Sequence, residues 1–142
     1  MDDTKEYIEK CRKAVEIQEY WHNSSHMISE WARSYFVSPK DGSLIHYYDF
    51  ESYPQHSTGY TWLPLQGQLQ DMLDYELGEL HYRFYDYVQK EGHNPNNWET
   101  ALIKYKSMEQ LWLAFVMHEK YDKKWNEEDW TTKDLPKPQN RV

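Results

Sequence analysis

The run of residues 111–117, Leu-Trp-Leu-Ala-Phe-Val-Met, constrains the fold most. It is apolar without interruption in a chain whose charged residues make up 28% of the total. Ser107 and Gln110 stand just before it with the spacing of a capping box, which predicts a helix from Met108 to about Tyr121. A helix that is apolar on every side is normally buried on every side, so we expect the other elements to pack around it.

The length of 142 residues suits one domain with a core of its own. Aromatic residues make up 17% of the chain, so tyrosine and tryptophan must supply much of that core. Residues 131–142 contain two prolines and no aromatic residue. We therefore expect a globular domain over residues 1–130 and a flexible tail over residues 131–142.

Apolar residues recur at helical steps in the first part of the chain, between Thr4 and about Tyr20. This spacing predicts an amphipathic N-terminal helix with Asp3 or Thr4 as its cap. Residues 21–37 fit a helix or a strand. The turn-forming residues 38–42 favour a β-hairpin of residues 32–37 with 44–50, followed by a loop over 51–59.

Leucines and other apolar residues step by three or four from Leu65 to Val88, which predicts one long amphipathic helix with Pro64 in its first turn. Gly78 would ease or bend this helix. Residues 98–106 fit a short helix or a strand, and we favour the strand because the capping box at Ser107 starts a new helix. The predicted fold class is α+β: an amphipathic N-terminal helix, a β-hairpin or small antiparallel sheet, a long amphipathic helix and a buried C-terminal helix.

Composition excludes several classes of function. The formal net charge of −8 disfavours direct binding of nucleic acid or anionic lipid. Cys11 is the single cysteine, which excludes an internal disulfide and fits a reducing compartment, so we expect a cytoplasmic protein. The longest apolar run is far shorter than the roughly 20 residues that cross a bilayer. The five glycines form no phosphate-binding loop, and we expect no cofactor.

Three segments, residues 61–72, 107–121 and 124–130, resemble a group of small uncharacterised proteins encoded by phages and prophages of low-GC Gram-positive bacteria. Residues 13–18 are similar too, and together these pieces cover about half of the chain. The resemblance implies a phage accessory protein that acts in the cytoplasm of an infected or lysogenic bacterial host. It assigns no catalytic residue.

The sequence offers one candidate metal site. If residues 19–30 are helical, one face aligns Glu19, His22, His26 and Glu30. Imidazoles one turn apart with a carboxylate could bind a divalent cation and activate water. Asn23-Ser24-Ser25 is poor helix material, however, and the pattern lacks the Glu beside the first His of the protease signature, so ordinary surface or partly buried histidines are the simpler interpretation.

Two further residue sets carry chemistry in principle. Cys11 lies on the apolar face of the first helix, where we expect a small buried hydrophobe rather than a nucleophile. His118 and Glu119 follow the apolar run and could form a general acid/base pair. We favour a simpler interpretation, in which they are the first solvated turn after the core.

An acidic stripe on the predicted long helix is the best-defined candidate surface. It consists of Asp71, Tyr75, Glu79, Tyr82 and Asp86, spaced by four, four, three and four residues. Residues 65–91 hold six acidic residues against Arg83 and Lys90, which gives a net charge of −4. Such a stripe could bind a basic groove of another protein. The alternative is a solvated polar face whose tyrosines pack inward.

These patterns favour a non-catalytic, acidic protein-binding module that interferes with a basic host protein, such as a nuclease or a nucleic-acid-binding complex. Two alternatives stay open: a metal-dependent hydrolase using His22, His26 and a carboxylate, and a structural or assembly protein of a virion. No pattern in the sequence sets the oligomeric state.

Overall fold

The computed structural model describes residues 1–23, 34–46, 59–91 and 105–132. These residues form five helices and five short strands, which confirms the α+β class. In chain order the elements are α1 (Lys5–Lys13), α2 (Val15–His22), β1 (Tyr35–Val37), β2 (Leu44–His46), β3 (Thr61–Leu63), α3 (Gln66–Asp71), α4 (Leu77–Glu91), α5 (Met108–Tyr121), β4 (Lys123–Trp125) and β5 (Trp130–Thr132).

The predicted N-terminal helix is present but divided in two. Thr4 caps α1 as expected, its hydroxyl accepting a hydrogen bond from the Tyr7 N–H at 3.2 Å. Ala14 then leaves the helical conformation with φ −84° and ψ 77°, and α2 follows. Gln18 compensates for this break because its side-chain amide donates to the carbonyl of Cys11 at 3.0 Å. A single helix over residues 4–20 is therefore wrong at one residue.

A three-stranded antiparallel sheet has the order β2-β1-β3. The predicted hairpin is confirmed, with Val37 opposite Leu44 and Tyr35 opposite His46. Gly42 takes a positive φ of 72° in its turn, a conformation that favours glycine. The hairpin residues 32–33 and 47–50 lie outside the described residues. Strand β3 was not predicted, because three residues are too few to show alternation.

The prediction of one helix from Leu65 to Val88 is wrong. Two helices, α3 and α4, are separated by residues 72–76. Met72 and Leu73 are both buried in this segment, so the connection between the two helices belongs to the core. Lys120 donates to the Met72 carbonyl at 3.3 Å, so this carbonyl has a hydrogen-bond donor although the helix does not continue past it. Gly78 lies within α4 and is not the point of the break.

Helix α5 is the central element. Every residue from Gln110 to Met117 is buried, which confirms the prediction made from the apolar run. The Ser107 hydroxyl accepts from the Gln110 N–H at 3.1 Å, and the helix ends at Asp122 in the left-handed conformation. Helix α4 packs on α5 through aromatic rings, with Phe84 stacked parallel on Trp112 at 3.9 Å.

The N-terminus is fixed to the start of α5 by a buried polar cluster. Asp2, only 8% exposed, accepts hydrogen bonds from Ser107 and from the Gln110 side chain, the latter at 2.9 Å. Lys10 is also buried, and its ammonium lies 3.4 Å from the side-chain carbonyl oxygen of Gln110. The first residues of the chain are thus part of the folded body.

A second hairpin is formed by β4 and β5, and it contacts α1 through Trp130. The Trp130 indole N–H donates to the Lys10 carbonyl at 2.8 Å. Strand β5 includes Thr131 and Thr132, so the predicted tail begins no earlier than residue 133, and residues 133–142 lie outside the described ones. Of the predicted strand 98–106, Tyr105 and Lys106 form no strand and residues 98–104 are likewise outside.

None of the helices within the described ranges is long and apolar enough to cross a membrane.

Candidate functional site

A cleft of about 350 Å³ lies between α4 and the last turns of α5. Helix α4 provides one wall and the C-terminal end of α5 provides the other. The lining residues are Glu79, Tyr82, Arg83, Asp86, Tyr87, Lys90, His118 and Glu119. The volume is at the lower end of the roughly 300–1,000 Å³ that is usual for ligand pockets.

Arg83 joins the two walls of the cleft. Its Nε donates to Glu79 Oε2 at 3.0 Å on the same helix, and its Nη1 donates to Glu119 Oε1 at 2.9 Å on α5. The Tyr75 hydroxyl donates to the same Glu119 oxygen at 2.9 Å. The guanidinium also lies over the Tyr75 ring, 4.6 Å from its centre. The four groups form a continuous network that fixes α4 against α5.

These contacts shift the pKa values of their donors. Hydrogen bonds to Glu79 and Glu119 raise the pKa of Arg83 above its ordinary value. Burial and then the hydrogen bond to Glu119 raise the pKa of Tyr75. The hydrogen bond to Asp86 raises the pKa of Lys90, whose ammonium lies 2.9 Å from that carboxylate. All three groups therefore keep their protons at neutral pH.

The His118–Glu119 pair lines the α5 wall of the cleft. The Glu119 side chain is only 14% exposed, and the His118 side chain is about one third exposed. His118 Nε2 lies 3.9 Å from Glu119 Oε2, beyond hydrogen-bonding distance, and its ring packs 4.7 Å from that of Tyr87. The predicted solvated turn is wrong for Glu119, because Arg83 and Tyr75 hold its carboxylate against α4.

The five residues of the predicted stripe are divided among three places. Glu79, Tyr82 and Asp86 lie together on α4 at the cleft. Asp71 is exposed at the end of α3, and Tyr75 lies between the helices with its hydroxyl turned to Glu119. Glu79 and Asp86 each pair with a cation four residues later, Arg83 and Lys90. The stripe is thus partly neutralised by the chain itself.

The predicted metal site falls mostly outside the described residues. Glu19 is exposed on α2 and His22 is the last residue of that helix, whereas the side chain of His22 and all of His26 and Glu30 are among the undescribed parts. Within the residues that the structure describes, no group of three or more His, Cys, Asp or Glu side chains could hold a metal ion.

Cys11 is fully buried in the core, as predicted for a small hydrophobe. Burial raises the pKa of its thiol far above the ordinary value. The thiol is therefore protonated and inaccessible, the opposite of what a nucleophilic cysteine needs.

Sequence reasoning named His118 and Glu119 but did not place them beside α4. The pairs Glu79 with Arg83 and Asp86 with Lys90 could be read from their spacing of four on one helix. Nothing in the sequence connects Arg83 with Glu119, which lie 36 residues apart. The ion pairs within α4 could be predicted from the sequence, but the contact of Arg83 with Glu119 on another helix could not.

Chemically, the cleft offers charged and aromatic groups for binding. Its Glu119 carboxylate is committed to Arg83 and Tyr75, and its His118 lies beyond hydrogen-bonding distance of that carboxylate. The arrangement is suited to holding a charged group rather than to transferring a proton.

Comparison with known proteins gives no family model that matches the chain, no similar curated protein and no similar solved structure.

Proposed function

We propose that this chain is a non-catalytic protein-binding module whose contact surface is the outer side of α4. We call this surface the α4 face and define it as Glu79, Tyr82, Tyr85 and Asp86. The observation that carries the proposal is the exposure of Tyr82. This residue is 71% exposed and lies between Glu79 and Asp86, whose side chains are about half exposed.

Exposed tyrosines are the first support. Tyr85 is also 51% exposed on the same side of the helix. Tyrosine provides a large, rigid and amphipathic contact area at low cost in conformational entropy, and it is enriched at the centres of protein interfaces. Two such rings on a helix that is anchored by Phe84 and Arg83 form a preorganised surface.

Charge is the second support, and it indicates the kind of partner. Three further acidic residues, Asp71, Asp74 and Glu76, are exposed just before α4. Together with the net charge of −8, they favour a basic partner and a fast, salt-sensitive encounter. The resemblance to phage and prophage proteins supports a host partner, and a nuclease or nucleic-acid-binding protein is of the expected basic class.

A photo-crosslinking experiment tests the position of the contact surface. A photoreactive phenylalanine analogue replaces Tyr82 in one protein and Val15 in another, since Val15 is 55% exposed on α2. Both proteins are irradiated in lysate of a low-GC Gram-positive bacterium. We expect a discrete crosslinked species from position 82 and none from position 15. Equal labelling from both positions, or none from position 82, contradicts the proposal.

A charge-reversal experiment tests the electrostatic part. Asp71, Glu79 and Asp86 are changed together to Lys in one variant. The matched control changes Asp3, Glu127 and Glu128, which are exposed elsewhere, and so alters the net charge equally. We expect the first variant to lose the crosslinked species at low salt and the control to keep it. Loss in both variants would mean that net charge alone, rather than the α4 face, attracts the partner.

A further inference from the structure

The cleft beside the α4 face carries an excess of negative charge at a defined place. Arg83 donates to both Glu79 and Glu119, so one guanidinium compensates two carboxylates. Asp86 and Lys90 form a pair with no net charge. One formal negative charge therefore remains at the Glu79–Arg83–Glu119 bridge.

Glu79 is the carboxylate of this bridge that is available to bind an incoming cation. Arg83 contacts its Oε2 atom, and no donor from the described residues contacts its Oε1 atom. The Glu79 side chain is 50% exposed, whereas Glu119 is held inside by two donors. A cation that enters the cleft thus finds an available acceptor at its rim and a compensating charge behind it.

Two tyrosine rings also line the cleft, Tyr82 at its rim and the buried Tyr87 at its wall. The face of a tyrosine ring attracts a guanidinium or an ammonium group. The molecule already uses this chemistry next to the cleft, where the Arg83 guanidinium lies 4.6 Å from the centre of the Tyr75 ring.

From these observations we infer that the cleft is a socket for one arginine or lysine side chain of the protein partner. This inference rests on the proposed function and specifies what the α4 face recognises. A volume of about 350 Å³ is large enough to admit one long side chain. Anionic groups are disfavoured because three carboxylates line the cleft against the two cations Arg83 and Lys90.

Lys90 is the chain's own competitor for the socket. Its side chain is three-quarters exposed and held by one helical pair with Asp86. Exposed pairs of this kind are weak, so the ammonium moves aside at little cost when a partner's cation arrives. Asp86 then becomes a second carboxylate for the incoming group.

A small arginine compound tests the socket without knowledge of the partner. The probe is N-acetyl-arginine methylamide, and its control is the citrulline analogue, which has nearly the same shape but no charge. Titration is followed by NMR at the His118 and Tyr87 ring signals. We expect saturable shifts with the arginine compound, on the order of millimolar affinity for so small a ligand, and none with citrulline. Equal shifts from both compounds, or no saturation, overturn the inference.

Variants locate the binding to the cleft. Glu79→Gln removes the available charge, and Glu127→Gln is the matched control at the tip of the second hairpin. We expect Glu79→Gln to weaken binding of the arginine compound about fivefold or more and Glu127→Gln to leave it unchanged. Tyr82→Leu should weaken it about two- to fivefold through the lost ring face. Unchanged affinity in Glu79→Gln overturns the inference.

Failure of the socket and failure of the proposed function are separable. Crosslinking from position 82 with no binding of the arginine compound overturns the socket and leaves the protein-binding module in place. Saturable binding of the arginine compound with no crosslinked species supports a cleft that binds a basic group, but it overturns the α4 face as a protein-binding surface and with it the assignment of that group to a protein partner.

Discussion

Arg83 and Glu119 join two helices through a hydrogen bond of 2.9 Å between residues 36 positions apart. This contact spans the cleft from α4 to the end of α5, beside the aromatic packing of Phe84 on Trp112. Through this contact Arg83, the cation nearest to the acidic stripe in the sequence, also pairs with a carboxylate outside the stripe. Because one guanidinium faces two carboxylates, Glu79 and Glu119, the negative charge left for a partner is the part that Arg83 does not compensate.

Tyr75→Phe tests the network behind the cleft. The substitution keeps the ring under Arg83 but removes the hydroxyl that donates to Glu119 at 2.9 Å. We expect the free energy of unfolding to fall by about 0.5–1.5 kcal/mol, measured by urea unfolding at pH 7. Tyr82→Phe is the control, because Tyr82 is largely exposed, and should change it by less than about 0.5 kcal/mol. Equal effects would show that the Tyr75 hydroxyl does not stabilise the helix contact.

Asp2 should give the protein a pH-dependent contribution to stability. Burial alone would raise its pKa, but hydrogen bonds from Ser107, Thr4 and Gln110 outweigh burial and hold the pKa below the ordinary 3.8. The charged form is thus favoured in the folded state. Its contribution is present above pH 3.8 and is lost as the pH falls through the lower, folded-state pKa.

Asp2→Asn measures this contribution directly. We expect the free energy of unfolding to fall by about 1–3 kcal/mol at pH 7, because the amide replaces an acceptor for Ser107 and Gln110. The difference from the unchanged protein should shrink below pH 3.8. Asp3→Asn, at an exposed neighbour, should have little effect at either pH. A difference that is independent of pH would contradict the assignment of the charge to Asp2.

Phe84→Leu tests the aromatic contact that anchors the α4 face. The Phe84 ring stacks parallel on Trp112 and meets Phe115 edge-on at 5.4 Å. We expect a loss of about 1–2 kcal/mol of stability from the aromatic pairs and the lost packing. The matched change at the surface, Tyr82→Leu, should cost less than about 0.5 kcal/mol. Thermal unfolding followed by tryptophan fluorescence compares the two variants.

Two glycines should respond to alanine with opposite signs. Gly78 lies in α4 with open space where a methyl group would be added, so Gly78→Ala should raise the free energy of unfolding by about 0.5 kcal/mol. Gly59 has a φ of 87°, and a methyl group there would lie 3.2 Å from the Pro39 side chain. Gly59→Ala should lower stability by about 1–2 kcal/mol. Urea midpoints that move in the same direction for both would contradict this.

Much of the fold was readable because its signals are local. The Thr4 and Ser107 caps, the turn at Gly42 and the apolar run before His118 each depend on neighbours in the chain, and all are present in the structure. The break between α3 and α4 was not readable. Met72 and Leu73 keep the helical spacing, yet both are buried in the segment where the helix has ended.

The candidate site divides in the same way. Glu79, Tyr82 and Asp86 were predicted together because one helix face brings residues three and four apart into contact. Tyr75 was assigned to that outer face, but it turns inward to Glu119 because the helix is interrupted before it.

The sequence by itself determined the class of fold, the central buried helix and the acidic, tyrosine-rich character of residues 65–91, because these follow from periodicity, capping and composition. The tertiary structure alone decided which carboxylates stay available, since Arg83 meets Glu119 only when α4 packs on α5. Electrostatic compensation depends on the distance between charges in space. The spacing of residues in the sequence predicts only contacts between residues three or four apart on the same helix.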